Sequence, residues 1–169
     1  QYFANSEVKR RIDSLFDEAV HVGNFEVIEH ALITGFPEIT DQLREELLRS
    51  WWREGLQRNH WAEWRAILEA HFARGSSLSL ELRSAYGGCL RRLNDWDSAE
   101  RVFESLVLDS GRQGMFSLQA WALQEWSMIA QYRGDFVRAR SFIDQARRFA
   151  GRSNGEELIQ TLRKCEAEL

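Results

Sequence analysis

The chain of 169 residues is long enough for one domain with a sizeable core or for one short solenoid of repeats, but too short for two ordinary domains. Hydrophobic residues make up 44% and charged residues 28% of the chain, a balance that excludes intrinsic disorder. The formal net charge of −4, with Lys9 and Lys164 as the only lysines, argues against non-specific binding to nucleic acid, which requires a basic face.

Helix breakers are scarce, because Pro37 is the only proline and the glycines cluster near candidate turns. Long stretches without such residues favour helix. The sequence contains no run of about 18 apolar residues and no charged-then-apolar leader, so we expect neither a membrane span nor a signal peptide. Cys89 and Cys165 match no metal or redox spacing, and we expect reduced thiols in a cytoplasmic protein. Because the chain begins at Gln1 and not at a methionine, we expect a fragment of a longer protein.

Four short segments of the form small or polar, polar, aromatic recur along the chain. They are Gly23-Asn24-Phe25, Asn59-His60-Trp61, Asn94-Asp95-Trp96 and Gly134-Asp135-Phe136. Their aromatic residues are separated by 36, 35 and 40 residues. Such a period, with helical apolar patterns on both sides of each segment, is typical of stacked helical hairpins in which each segment forms the turn.

In chain order, the sequence predicts four hairpins followed by a closing helix, about nine helices in one domain. The hairpins cover residues 7–35, 41–74, 79–109 and 116–150, and the capping helix covers 153–168. Residues 110–114 are predicted to form a longer loop between the last two hairpins, which would explain the interval of 40 residues. Ser153 and Glu156 have the spacing of a capping box, and the apolar face of the helix that follows would cover the last hairpin.

The chain from about Lys9 to Leu169 resembles the tetratricopeptide repeat family. In that family a small residue of the first helix, an aromatic residue at the turn and an alanine three positions later let the two helices approach closely. The residues that carry the resemblance are Gly87, Trp96, Ala99 and Phe103 in the third hairpin and Phe136, Ala139 and Ala146 in the fourth. The first two hairpins depart from the pattern, with Phe16 and Trp52 at the small position and Ile28 and Trp64 at the alanine position. The resemblance implies a right-handed α-solenoid of antiparallel helical hairpins, with the first helices lining a concave groove.

The groove positions of the family, carried onto this chain, predict a surface that binds a partner. They are Arg49, Arg53 and Gln57 on the second hairpin, Arg91 and Arg92 on the third, and Trp121, Gln124, Met128, Gln131 and Tyr132 on the fourth. Guanidinium groups donate paired hydrogen bonds to carboxylates, so Arg49, Arg53 and Arg92 favour an acidic segment or a small anionic effector. The alternatives are that these three arginines pair internally with Glu46, Glu54 or Glu81, and that Trp121 packs against the loop at 110–117.

The sequence carries no signature of catalysis: no zinc-protease motif, no phosphate-binding loop and no nucleophile elbow. Asp13, Asp17 and His21 share one helix face but lack a fourth ligand, so we expect no metal and no cofactor. Cys89 is expected to be a small buried residue rather than a nucleophile activated by His60.

These features predict a non-catalytic scaffold that binds a protein or peptide segment in a concave groove, with no nucleic-acid or membrane partner. The alternative is a regulatory sensor within a larger signalling ATPase or transcription activator, binding a small effector or an inhibitory protein. Residues 131–150 look like repeats in activators of the maltose-regulator type, which is the basis of this alternative. The sequence leaves the identity of the partner and the oligomeric state open.

Overall fold

The computed structural model describes residues 2–22, 27, 30, 41–55, 60–73, 79–153 and 156–167. These residues contain no β-strand, which confirms the prediction of an all-α protein. Among them lie eight helices: α1 (Tyr2–Val22), α2 (Asp41–Gly55), α3 (Trp61–Ala73), α4 (Leu80–Arg92), α5 (Trp96–Arg112), α6 (Phe116–Tyr132), α7 (Phe136–Arg152) and α8 (Glu156–Ala167).

The predicted turn and second helix of the first hairpin fall on residues 23–35, which lie outside the described part of the chain except for Val27 and His30, both helical. None of the described helices is long and apolar enough to cross a membrane. The chain divides into two compact units, Gln1–Leu82 and Arg83–Leu169, with the boundary in the first turn of α4. They are called the N-terminal unit and the C-terminal unit below.

The N-terminal unit is built around aromatic rings. Trp64 of α3 is fully buried, and its ring lies 6.2 Å from that of Phe16 on α1 and 6.1 Å from that of Trp52 on α2. The ring of Trp52 also meets Trp61 edge-on at 6.0 Å. Edge-to-face and tilted aromatic pairs of this kind add to the hydrophobic gain of burial. Phe16, Trp52 and Trp64, which depart from the family pattern, therefore pack together between the three helices, whereas Ile28 lies outside the described part of the chain.

The C-terminal unit repeats one helix-and-turn geometry. Helices α5, α6 and α7 each have 17 residues, and three turns of three residues precede or separate them within residues 79–153, which are described without a gap. The middle residue of each turn has a positive φ: 62° at Asn94, 68° at Gly114 and 76° at Gly134. The next residue donates its backbone N–H over 2.9 Å to a carbonyl five positions earlier, from Asp95 to Leu90, from Met115 to Ser110 and from Asp135 to Ala130. These bonds are those of a Schellman motif, which glycine and asparagine favour because they tolerate left-handed backbone.

The turn between α5 and α6 differs from the expectation. Residues 110–114 are not a long loop, because α5 continues to Arg112 and only a short turn follows. Ser110 lies inside the helix, where its buried hydroxyl donates to the carbonyl of Leu106 at 2.6 Å. The interval of 40 residues between Trp96 and Phe136 therefore consists of two helices of 17 residues, α5 and α6, and two turns of three residues.

Close helix contacts in the C-terminal unit depend on small residues. A Cβ atom at Gly87 of α4 would lie 2.7 Å from the ring of Phe103 on α5, so only glycine fits without movement. Ala139 and Ala146 of α7 are fully buried and form part of one apolar cluster with Leu123 of α6. Small residues at these positions let the helices of this unit approach closely.

Helix α8 contacts both α6 and α7 and buries only one side. Leu162 of α8 is fully buried in the apolar cluster, whereas Gln160 and Arg163 are exposed. Ser153 belongs to the end of α7, since its hydroxyl donates to the carbonyl of Ala150 at 2.9 Å. Helix α8 thus covers the apolar side of the preceding helices with its own apolar face and turns its polar face to water.

Candidate functional site

The predicted groove residues of the second hairpin lie in the N-terminal unit. Arg49 is exposed on α2, and its Nε donates to the carbonyl of Glu45 at 3.4 Å. Its guanidinium also lies 4.0 Å from the Glu45 carboxylate, so the internal partner is Glu45 and not the Glu46 that the sequence suggested. The side chain of Arg53 and the whole of Gln57 lie outside the described part of the chain.

The other seven predicted residues lie in the C-terminal unit, on the first helices of the third and fourth hairpins. Along α6 the predicted positions recur at i, i+3, i+7, i+10 and i+11, which places them on one side of the helix. Arg91 and Arg92 of α4 stand 40 residues before Gln131 and Tyr132. The surface formed by these residues is called the first-helix face: Arg91, Arg92, Trp121, Gln124, Met128, Gln131 and Tyr132.

A buried ion pair joins the two helices at the centre of this face. Nε of Arg91 donates to Oε2 of Glu125 at 2.7 Å, and the two side chains are only 8% and 7% exposed. Nη1 of Arg92 lies 3.7 Å from the same carboxylate oxygen and donates to the carbonyl of Gly88 at 3.2 Å. Burial lowers the pKa of the Arg92 guanidinium, while the charge of Glu125 opposes that change. Two arginines thus share one carboxylate.

Sequence reasoning missed Glu125. It lies four residues after Trp121 and three before Met128, so its position on the face was readable from the helical period. Its pairing with Arg91, 34 residues away, depends on which helices lie side by side. The internal pairing that the sequence left open for Arg92 is present, because its guanidinium lies 3.7 Å from Glu125, a carboxylate other than those suggested.

Aromatic and polar side chains continue the face along α6. Tyr132 is 59% exposed and stacks on Trp96, with 5.9 Å between the ring centroids and 8° between the planes. Trp121 is half-buried and meets the ring of Phe103 edge-on at 6.0 Å. The side-chain amide of Gln124 points to the sulfur of Cys165 on α8 at 3.8 Å. Met128 and Gln131 are half-buried on the same helix, so the face combines apolar and hydrogen-bonding surface.

Cys89, Asp13, Asp17 and His21 are the described residues that the sequence raised as candidates for catalysis or metal binding. Burial raises the pKa of the Cys89 thiol to about 12, and the charge of Arg92 only partly offsets this, so the thiol stays protonated at neutral pH. Asp13 is half-buried on α1, while Asp17 and His21 are exposed. Among the described residues, no group of three or more His, Cys, Asp or Glu side chains is arranged to hold a metal ion.

A comparison of the chain with models of known protein families and with curated proteins finds no match.

Proposed function

We propose that the chain is a tetratricopeptide-like helical-repeat module, a right-handed α-solenoid, that binds a protein or peptide segment along the first-helix face without catalysing a reaction. The observation that carries this proposal is the turn geometry that recurs every 20 residues at Asn94, Gly114 and Gly134. The three turns share one geometry and α5, α6 and α7 have equal lengths, which supports a regular succession of hairpins. Stacked helical repeats bind partners along such surfaces.

The charges of the first-helix face support an acidic segment as the ligand. The guanidinium of Arg92 is 26% exposed at this face, next to the buried pair of Arg91 and Glu125. Tyr132 adds an exposed ring to the face, and Met128 adds an adaptable apolar side chain. Carboxylates flanked by an apolar residue are the peptide chemistry that fits such a surface.

Selection from a random peptide library displayed on phage tests the proposal. Peptides selected on the wild-type chain should be enriched in aspartate and glutamate, and Tyr132→Ala with Met128→Ala should weaken their binding about tenfold, as loss of interface anchors does. The matched control is Leu108→Ala, because Leu108 on α5 is 58% exposed, close to the 59% of Tyr132. Failure to select any peptide, or equal weakening by the control, would contradict the proposal.

A thermal titration separates this proposal from the regulatory sensor. A ligand that binds only the native state raises the melting temperature with its concentration. Citrate, inorganic phosphate and a selected acidic peptide are compared at equal concentrations. The scaffold proposal predicts that the peptide gives the larger shift, whereas a larger shift with either small anion would favour an effector-binding sensor.

A further inference from the structure

Helix α7 carries an unusual charge for this chain. It contains five arginines and a single acidic residue, Asp144, whereas the whole chain has a formal net charge of −4. Positive charges held close together along one helix repel one another unless partners neutralise them. The contacts of each arginine therefore show which of these charges are paired or packed within the fold and which are not.

Three of the five arginines are engaged within the C-terminal unit. Arg138 lies 3.4 Å from a carboxylate oxygen of Glu100 and also covers two aromatic rings. Arg147 forms a two-pronged ion pair with Glu166 of α8. Arg152 lies 5.6 Å from the centroids of two phenylalanine rings. These three arginines hold α7 against its neighbours.

Arg140 and Arg148 are different. Both are exposed, and neither forms an ion pair or a ring contact with any residue that the structure describes. Asp144 stands between them at the i, i+4 spacing that commonly gives intrahelical pairs, yet within the described residues it is paired with neither. Positive, negative and positive charges thus follow one another along about 12 Å of helix, at 1.5 Å per residue.

This charge pattern borders on exposed apolar side chains. Val137 is 85% exposed and Phe136 is 56% exposed, at the first turn of the same helix. Both line an open depression together with Arg140, Ser141, Asp144, Gln145 and Arg148. We call these seven residues the α7 surface. Large apolar side chains that gather at the surface mark sites of interaction.

We infer that the α7 surface is a second docking site, separate from the first-helix face, and that it binds an amphipathic helix of a protein partner. The helix would carry glutamate, lysine and glutamate at successive spacings of four residues, opposite Arg140, Asp144 and Arg148. Two leucines one turn before the first glutamate would cover Val137 and Phe136.

The central acidic residue selects this partner over other anionic ones. A phosphate backbone or an anionic lipid surface presents negative charge without interruption, and Asp144 would repel it between the two arginines. A helix with a lysine in the middle instead satisfies all three charges. Complementary charges of this kind fix the register of a complex and discourage wrong partners.

The probe is a fluorescein-labelled, alanine-based peptide with this pattern, and the measurement is its fluorescence anisotropy against the whole chain. We expect saturable binding, and we expect Arg140→Glu with Arg148→Glu to raise the Kd about tenfold or more, since the pair then repels both glutamates. Arg140→Ala with Arg148→Ala should raise it by a smaller factor, which keeps the test valid if the reversed variant fails to fold. Val137→Asp should also weaken binding.

The matched control is Arg101→Glu with Arg163→Glu, which changes the net charge equally at two exposed arginines outside the α7 surface. Its Kd should stay within about twofold of wild type, because salt largely screens exposed charges that lie more than a Debye length from the bound peptide. A peptide with lysine, glutamate and lysine in place of the three charges should not bind. Absence of saturable binding, equal weakening by the control, or capture of the chain by phosphatidylserine vesicles through Arg140 and Arg148 would overturn the inference.

Discussion

The two units of the chain pack their helices in opposite ways. In the N-terminal unit the contact positions are large, and Trp64 meets the rings of Phe16 and Trp52. In the C-terminal unit they are small. A Cβ atom at Gly87 would lie too close to the ring of Phe103, and the side chain of Ala139 is fully buried. The described helices of the chain therefore pack through two kinds of interface, and the residue size at a few positions determines which kind forms.

The largest expected effect concerns the aromatic interface. Trp64→Ala would leave a cavity among Phe16, Trp52 and the helices that carry them, since Trp64 is fully buried. We expect a loss of about 4 kcal/mol in the free energy of unfolding. Urea denaturation followed by circular dichroism measures it. Trp121→Ala, at a half-buried position of the other unit, is the control and should cost less; an equal or larger loss there would contradict the comparison.

Next in size is the buried ion pair of the C-terminal unit. Glu125→Ala would leave the Arg91 guanidinium buried without its carboxylate, at a cost of about 3 kcal/mol. Replacing both residues, with Arg91→Met and Glu125→Leu, should recover most of this loss because the buried Arg91 guanidinium is then removed together with its carboxylate, while Arg92 loses Glu125 in both variants. The denaturation midpoints of the two variants measure both losses of stability. A double variant as unstable as Glu125→Ala would show that the pair contributes stability beyond offsetting the cost of burying its own two charges.

The small-residue interface is tested by adding one methyl group. Gly87→Ala would place a Cβ atom 2.7 Å from the ring of the buried Phe103, and we expect a loss of about 2 kcal/mol from overpacking. Gly151→Ala is the matched control, because nothing lies within 4 Å of a Cβ atom at this exposed helical position. Alanine there should stabilise slightly, by about 0.5 kcal/mol, through its helix propensity. Melting temperatures that fall equally for both variants would exclude close approach at Gly87.

The smallest expected effects are in the repeated turns. Gly114→Ala forces a side chain into left-handed backbone at a φ of 68°, which should cost about 1 kcal/mol. Asn94→Gly at a φ of 62° should be neutral or should stabilise by about 0.5 kcal/mol, since asparagine already tolerates this region less well than glycine. Calorimetric melting of the two variants checks both signs. A Gly114→Ala variant as stable as the wild type, or a clear loss of stability in Asn94→Gly, would mean that the turns do not share one geometry.

Helix content and two of the three turns of the C-terminal unit were predictable because they depend on local chemistry. The Asn-Asp and Gly-Asp pairs place a residue that tolerates positive φ before an aspartate that caps the next helix, and Asp135 accepts the backbone N–H of Arg138 at 3.0 Å. The turn at Gly114 was misplaced because Gly111, three residues earlier, reads as a helix breaker. Inside α5 this glycine instead leaves room for the side chain of Gln119, because a Cβ atom at Gly111 would lie 2.7 Å from the Gln119 side-chain nitrogen.

The candidate site was predictable only in part, for a different reason. The helical period brings Trp121, Met128 and Tyr132 to one side of α6, and that can be read along a single helix. The partner of Arg91 cannot be read in this way, because Glu125 lies on another helix and the pair forms only where the two helices pack. Ring contacts such as that of Trp121 with Phe103 depend on packing in the same way.

Amide NMR of the whole chain, titrated with a peptide selected on it, tests the proposed binding surface most directly. The proposal predicts that the largest chemical-shift changes fall on α4 and α6, around Arg92, Met128, Gln131 and Tyr132, with little change at the outer residues of α8. Changes confined to other helices, or absent at saturating peptide, would contradict the assignment of the first-helix face as the binding site.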